Sequence, residues 1–356
     1  AYSGPGALPV DPVIWALVTH LFLRTAYTIV AVPFTSLQAR LTHDAQERAV
    51  VAGFRMVGAA SGGLMVVLLT PFFVSWYGEG REAHAYFVAA CIASGIALAT
   101  LWYSFFCMRE PASDYGDPLE PIWSDLKGIG SVFLRNPPLM RVFGIVISGS
   151  LCLGMFGKNV VYHFKYDIQR PDLTMIGLLI PAILLILTVP IWVALAKRTS
   201  KRTALAIGAM IGLAGYLWFF FNSAGNLTYT FAAMGLAGIG SSAFAVMFWS
   251  MLPDTVEYGQ AVTGVRAESK TFGFATFAQK AAVGINALLL GALLEWVGYI
   301  PNEPQSAETL LGMKAIMALV PAAGVIVILI LLSGYKLDHA QHAQLLKDIE
   351  SHPSKG

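Results

Sequence analysis

Long apolar blocks separated by short polar breaks make up most of this chain, and the blocks set its architecture. Roughly 20 apolar residues cross a bilayer as a helix. Nine spans are predicted on that basis, at about 13–37, 49–77, 85–107, 142–162, 173–196, 203–221, 229–252, 271–297 and 313–332. Pro33, Pro71, Pro181, Pro190 and Pro321 fall inside them, where membrane helices tolerate proline as a kink. The most informative stretch is 243–299. Its first apolar segment ends at Met247 to Gly259 and carries Asp254 and Glu257 at the helix end. A polar loop with Arg266, Glu268 and Lys270 follows, then a second apolar run with Lys280 inside it. An ionisable residue at that depth is expensive and marks a functional candidate.

Composition sharpens this into an all-α polytopic membrane protein. Of the 356 residues, 56% are hydrophobic and only 12% are charged, against roughly 25% charged in soluble domains. A net charge of +2 without a long basic run excludes a nucleic-acid partner. Cys91, Cys107 and Cys152 show neither ligand spacing nor a disulfide framework. Lys and Arg gather on one set of loops, including Arg48, Arg109, Arg141, Lys197, Lys201, Arg202 and Arg266. The opposite set has only Arg81, Lys165, Arg170 and Lys314. The richer side is expected to be cytoplasmic, with the C-terminus on it. Nine spans then put the N-terminus outside, and further spans are expected upstream of Ala1.

The long loop 109–141 follows three spans and precedes six. A transporter of two six-helix halves has its long loop at the middle. The expected organisation is a partial N-terminal bundle over 1–108 and a central cytoplasmic loop over 109–141, with a surface helix near 123–134. A six-helix C-terminal bundle over 142–334 and a cytoplasmic tail over 335–356 complete it.

Four cations lie within the spans: Arg24, Arg55, Lys158 and Lys280. Lys280 is too central to snorkel cheaply and is expected to face an aqueous cavity. Arg55 is balanced between snorkelling and a site role. Lys158, with Tyr162, His163 and Lys165 behind it, reads as an interfacial anchor. Gly58/Gly62, Gly208/Gly212 and Gly235/Gly238/Gly240 read as close helix packing. No metal cluster or nucleophilic set stands out. A membrane-embedded enzyme would have to use the Asp254/Glu257 loop, which lacks His or Cys partners. An inactive or truncated transporter-like protein is the other alternative to a carrier.

Three stretches together resemble one family. The first holds Tyr27-Thr28-Ile29-Val30-Ala31-Val32-Pro33-Phe34, Leu41-Thr42-His43-Asp44, Glu47-Arg48 and Phe54-Arg55. The second holds Tyr162, Phe164, Lys165 and Tyr166. The third runs Asp254-Thr255-Val256-Glu257-Tyr258-Gly259, then Thr263-Gly264, Arg266, Lys280 and Gly298-Tyr299. They resemble the glycoside–pentoside–hexuronide:cation symporters, the melibiose permease-like branch of the major facilitator superfamily. The resemblance implies a twelve-helix fold of which this chain supplies the fourth to the twelfth helices. It implies a multi-pass protein of a bacterial plasma membrane that moves a small sugar-like substrate by alternating access, with Na+ or H+ as coupling ion and no other cofactor. Arg55, Lys280 and Thr276 match the family's substrate contacts. Its sugar- and cation-linked Asp falls at Ala31, and a neighbouring Trp falls at Thr35. Two cations with no local acid suit a uronide. Asp44, Glu47, Arg48, Asp254, Glu257 and Arg266 are expected to form a cytoplasmic gate.

Overall fold

A computed structural model describes residues 11–41, 45–77, 82–107, 135–222, 226–263, 267–335 and 337. Among them are nine long α-helices and no strand: α1 Pro12–Leu41, α2 Ala45–Tyr77, α3 Glu82–Cys107, α4 Pro137–Tyr162, α5 Thr174–Arg198, α6 Lys201–Asn222, α7 Leu227–Thr263, α8 Glu268–Trp296 and α9 Ala307–Ser333. Each coincides with one predicted span. Seven of them (α3 to α9) are long and apolar enough by themselves to cross a membrane. In α2 the apolar stretch among the described residues is Val50–Val66. Large apolar side chains cover the outside, among them Phe105, Phe106, Leu288 and Trp296, which is 80% exposed. A surface of that kind suits hydrocarbon rather than water.

The chain divides into two compact units: Ala1–Leu41 with Gly58–Gly116, and Thr42–Val57 with Asp117–Gly356. In the first unit, Arg24 hydrogen-bonds His20 one turn back, Nε to Nε2 at 3.2 Å. The second unit holds α4 to α9 and the start of α2, and it contains every site described below.

Local chemistry fixes the helix ends of that unit. Asn136 caps α4 by accepting from the Leu139 amide, and Pro137 and Pro138 follow in the first turn, where a missing N–H costs nothing. Ser306 caps α9 by accepting from Thr309, with Glu308 in the favourable first turn. Where α4 ends, the backbone widens into a π-helical turn, His163–Asp167. The α6–α7 pair crosses at Gly208, Gly212 and Gly240. A Cβ on Gly240 would lie 2.5 Å from the Gly212 Cα and 2.6 Å from its nitrogen, so the backbones meet where only glycine fits. The close-packing reading holds for these glycines but not for Gly58 and Gly62, where an added Cβ would meet nothing within 4 Å.

Three sequence-based boundaries need correction. The helix predicted to stop at 252 continues through Pro253 to Thr263, and Asp254, Thr255 and Glu257 lie inside it, buried. They are therefore not residues of a helix end or loop. Pro253 removes a ladder hydrogen bond, and membrane helices recover such losses from neighbouring groups. The carbonyl left without that donor is Trp249's, four residues back, and polar side chains reach carbonyls near it: Lys201 donates to that of Ser250 at 2.9 Å, and Asn136 to that of Thr255 at 2.8 Å. The second correction is α9, which begins at Ala307, so Lys314 is a helical residue rather than a loop cation. Third, Arg141, Lys201 and Arg202 also lie within helices. The expected surface helix at 123–134 and the tail beyond 337 lie outside the described residues.

Candidate functional site

Midway along the second unit, one polar-aromatic cluster gathers the predicted substrate residues. The Arg55 guanidinium lies over the Trp249 ring, 3.7 Å from its centroid. Trp249 is buried, packs against Phe248 at 4.6 Å and stacks on Phe272 of α8 at 6.4 Å. Thr276 follows Phe272 by one turn, is buried, and donates its hydroxyl to the Phe272 carbonyl at 2.9 Å. Lys280, half-buried, is one further turn along the same face of α8. Arg55 and Thr276 are thus joined through Trp249 and Phe272, and Lys280 extends the line.

The chemistry of the cluster follows from its parts. A guanidinium over an indole is held by cation–π attraction, and its N–H groups form a planar fork. That fork matches paired oxygens, whether a vicinal diol or a carboxylate. The threonine hydroxyl and the lysine ammonium supply further hydrogen-bonding capacity on the neighbouring turns.

A second cluster lies at the Asn136 end of the bundle. The Lys201 ammonium bonds both carboxylate oxygens of Asp254, at 2.9 and 2.7 Å, as well as the Ser250 carbonyl. Both side chains are 7% exposed. Arg202 donates to the Ser333 carbonyl at 2.9 Å, and Arg141 donates to that of Gly334, so two cations cap the end of α9. Tyr335 is buried next to them. Burial, and then the negative charge of Asp254, push its hydroxyl well above the ordinary phenol range.

The expected gate residues are distributed as follows. Asp254 pairs with Lys201 inside the bundle, and Glu257 is buried on the next turn of α7 at 1% exposure. Glu47 is exposed in the first turn of α2. Asp44, Arg266 and the Arg48 side chain lie outside what is described. Among the described residues no group of three or more His, Cys, Asp or Glu could hold a metal.

Sequence reasoning missed Lys201, Trp249 and Asn136. Lys201 belongs to the run Lys197-Arg198-Thr199-Ser200-Lys201-Arg202, which reads only as topology-setting loop charge. Its partner is 53 positions away. For Trp249 the available signal was an aromatic pair one turn before Pro253 on a segment already judged functional.

Comparison with known proteins agrees with this architecture. The sequence model of the family described as MFS/sugar transport protein matches residues 2–339. The Isoprimeverose transporter of Lactiplantibacillus pentosus is 30% identical over 346 residues, which span 95% of this chain and 70% of that protein. The Glucuronide carrier protein homolog of Escherichia coli (strain K12) is 24% identical over 345 residues, 95% of this chain and 73% of that one. In fold, the chain resembles the E. coli fucose:proton symporter FucP, with a TM-score of 0.55 at 13% identity over 86% of this chain and 73% of that one. The protein is a multi-pass membrane protein of the major facilitator fold, and it belongs to the MFS/sugar transport protein family, in its melibiose permease-like branch.

Proposed function

We propose that the protein carries a glycoside across the membrane by alternating access and recognises it at the Arg55–Trp249–Thr276–Lys280 cluster. The observation that carries this reading is the Arg55 guanidinium seated on Trp249, next to the α8 face that bears Thr276 and Lys280. An indole platform and guanidinium N–H donors are groups that suit a polyhydroxylated ring. Two cations favour a glycoside with a carboxylate, a glucuronide-like substrate. The relative named as a glucuronide carrier supports the charged class, and the one named for isoprimeverose supports a glycoside more generally. Na+ or H+ would be the coupling ion. The cytoplasmic gate of Asp44, Glu47, Arg48, Asp254, Glu257 and Arg266 is part of this reading, with Asp254 acting through Lys201.

Uptake of a labelled glucuronide and a labelled neutral disaccharide into membrane vesicles tests the assignment. Lys280→Ala and Arg55→Lys are each expected to lower glucuronide uptake at least about tenfold at equal membrane level, a loss of ~1.4 kcal/mol in transition-state terms. The neutral disaccharide should lose less. Unchanged uptake of both substrates in both variants would remove these residues from the site.

A further inference from the structure

At the opposite end of α4 lies a polar group that the transport site does not use. Asn159, His163 and Asp167 follow one another at four-residue steps where α4 passes into the π-helical turn. Lys314 faces them from α9, and all four line one narrow recess with walls from Met313 and Met317. Single π-turns in helices occur frequently at functional sites.

The hydrogen bonding there is incomplete in a specific way. Asn159 is 1% exposed and His163 6%. Asn159 gives its amide hydrogen to the Met155 carbonyl at 2.8 Å, and its Oδ1 accepts nothing. His163 Nδ1 lies 3.0 Å from Asp167 Oδ2, an ion-pair distance without hydrogen-bond alignment, so Oδ2 and His163 Nε2 are both left without a hydrogen-bond partner. A neutral imidazole with its one N–H on Nδ1, the nitrogen nearer Asp167, presents only a lone pair at Nε2. The recess therefore gathers three buried polar atoms without a hydrogen bond, Asn159 Oδ1, His163 Nε2 and Asp167 Oδ2, and leaving such groups unsatisfied is costly. It has room for about one water.

We propose that this recess is a proton-binding site, with His163 as the group that takes up the proton. A proton from solvent forms the N–H bond at Nε2 and nothing leaves. The resulting imidazolium is held by the Asp167 carboxylate on one side and by Asn159 Oδ1 on the other, directly or through the single water. Asp167 and Asn159 are positioning residues. Lys314 opposes the charge, since its ammonium faces the same recess and interacts with Asp167. From α6 the uncharged Phe219 ring packs on His163, 4.8 Å away. The remaining titratable neighbours are the phenols of Tyr162, Tyr166 and Tyr299, which pack on one another. Lys165 turns away to Asn302 at 2.7 Å. The site does not depend on which sugar is carried.

Infrared difference spectroscopy on the full chain in detergent tests the proposal, with 15N-histidine labelling to mark imidazolium bands. The sample is taken from about pH 8 to about pH 5.5, the interval in which histidine changes charge. His163→Gln is expected to remove one imidazolium contribution from those of the seven histidines. Asp167→Asn should delay that band to lower pH by about one unit or more, and Lys314→Gln should advance it to higher pH. The last two variants keep His163 and test the site even where His163→Gln disturbs folding. A spectrum unchanged in His163→Gln, or a band that stays in place in both Asp167→Asn and Lys314→Gln, would overturn the site.

Discussion

Breaking the Lys201–Asp254 pair gives the most direct test of how the second unit is held together. At 2.7–2.9 Å, unit charges attract by about 6 kcal/mol at an effective dielectric constant of about 20. Desolvation of two nearly buried ions cancels much of this, so the intact pair adds little net stability. Removing one partner is different, because the other charge is left buried. Lys201→Met or Asp254→Leu alone is therefore expected to cost about 3–5 kcal/mol, and the double variant about 0–2 kcal/mol. Equilibrium unfolding of the purified chain, followed by circular dichroism in a titrated denaturing detergent, would give the full double-mutant cycle. Two results refute the reasoning: single variants within about 0.5 kcal/mol of the parent, which would mean the ions are solvated, or a double variant whose loss equals the sum of the singles, which would mean they do not interact.

Other elements make separate predictions. Gly240→Ala places a methyl against the Gly212 backbone and should cost about 1–3 kcal/mol or more by forcing α6 and α7 apart; in the same unfolding assay, Gly58→Ala, with open space around it, is the control. Asn136→Ala loses both the α4 cap and the bond to the Thr255 carbonyl, an expected loss of about 2 kcal/mol. Asn136→Asp retains the cap acceptor and should recover part of it. Burial, and then the hydrogen bond with Tyr166, raise the Tyr299 hydroxyl above its ordinary range, as burial does for Tyr335. Both phenols keep their protons in the folded state beyond the point where the unfolded chain loses them. Their contribution is thus fully present below about pH 10 and lost as the pH rises through the folded-state values. Melting temperatures from pH 8 to about pH 11.5 should fall less steeply in Tyr299→Phe and Tyr335→Phe than in the parent; equal slopes would show that neither phenol is buried as described.

The spans were readable because each is written in one contiguous block, and a bilayer asks only for length and apolarity. Glycine spacing likewise announced the α6–α7 crossing, since Gly208 and Gly212 are neighbours on one face. The failures share a cause. Asp254 looked like a loop residue because a carboxylate near a proline is cheap only in water or beside a cation, and its cation is 53 positions earlier. The Thr255 carbonyl next to Pro253 is satisfied by Asn136, 119 positions away. No local spacing encodes such pairs. Arg55, Thr276 and Lys280 were reachable from depth and resemblance, whereas the indole that joins the first two required coordinates. His163 was read only as part of an interfacial belt because its missing partners are visible only in three dimensions.

The arrangement along α7 bears on how the transport site works. At about 1.5 Å per residue, its 37 residues extend about 55 Å, well beyond a hydrocarbon core of about 30 Å. The glycine crossing at Gly240 fixes this helix on one side of Trp249, and the Lys201–Asp254 pair fixes it about 7.5 Å beyond on the other. Every residue from Val246 to Glu257 is buried, so the indole sits on a backbone clamped from both directions. If Trp249 is the platform proposed above, an indole held in this way would have little freedom left to lose when a sugar ring stacks on it, which favours binding. On the proposed reading, discrimination between substrates would then rest on Arg55 and Lys280, whose long side chains can re-aim their donors. Weakening the clamp through Lys201 should therefore reduce uptake of charged and neutral glycosides by similar factors. Changing Lys280 should separate them, because only the charged substrate loses an ionic partner.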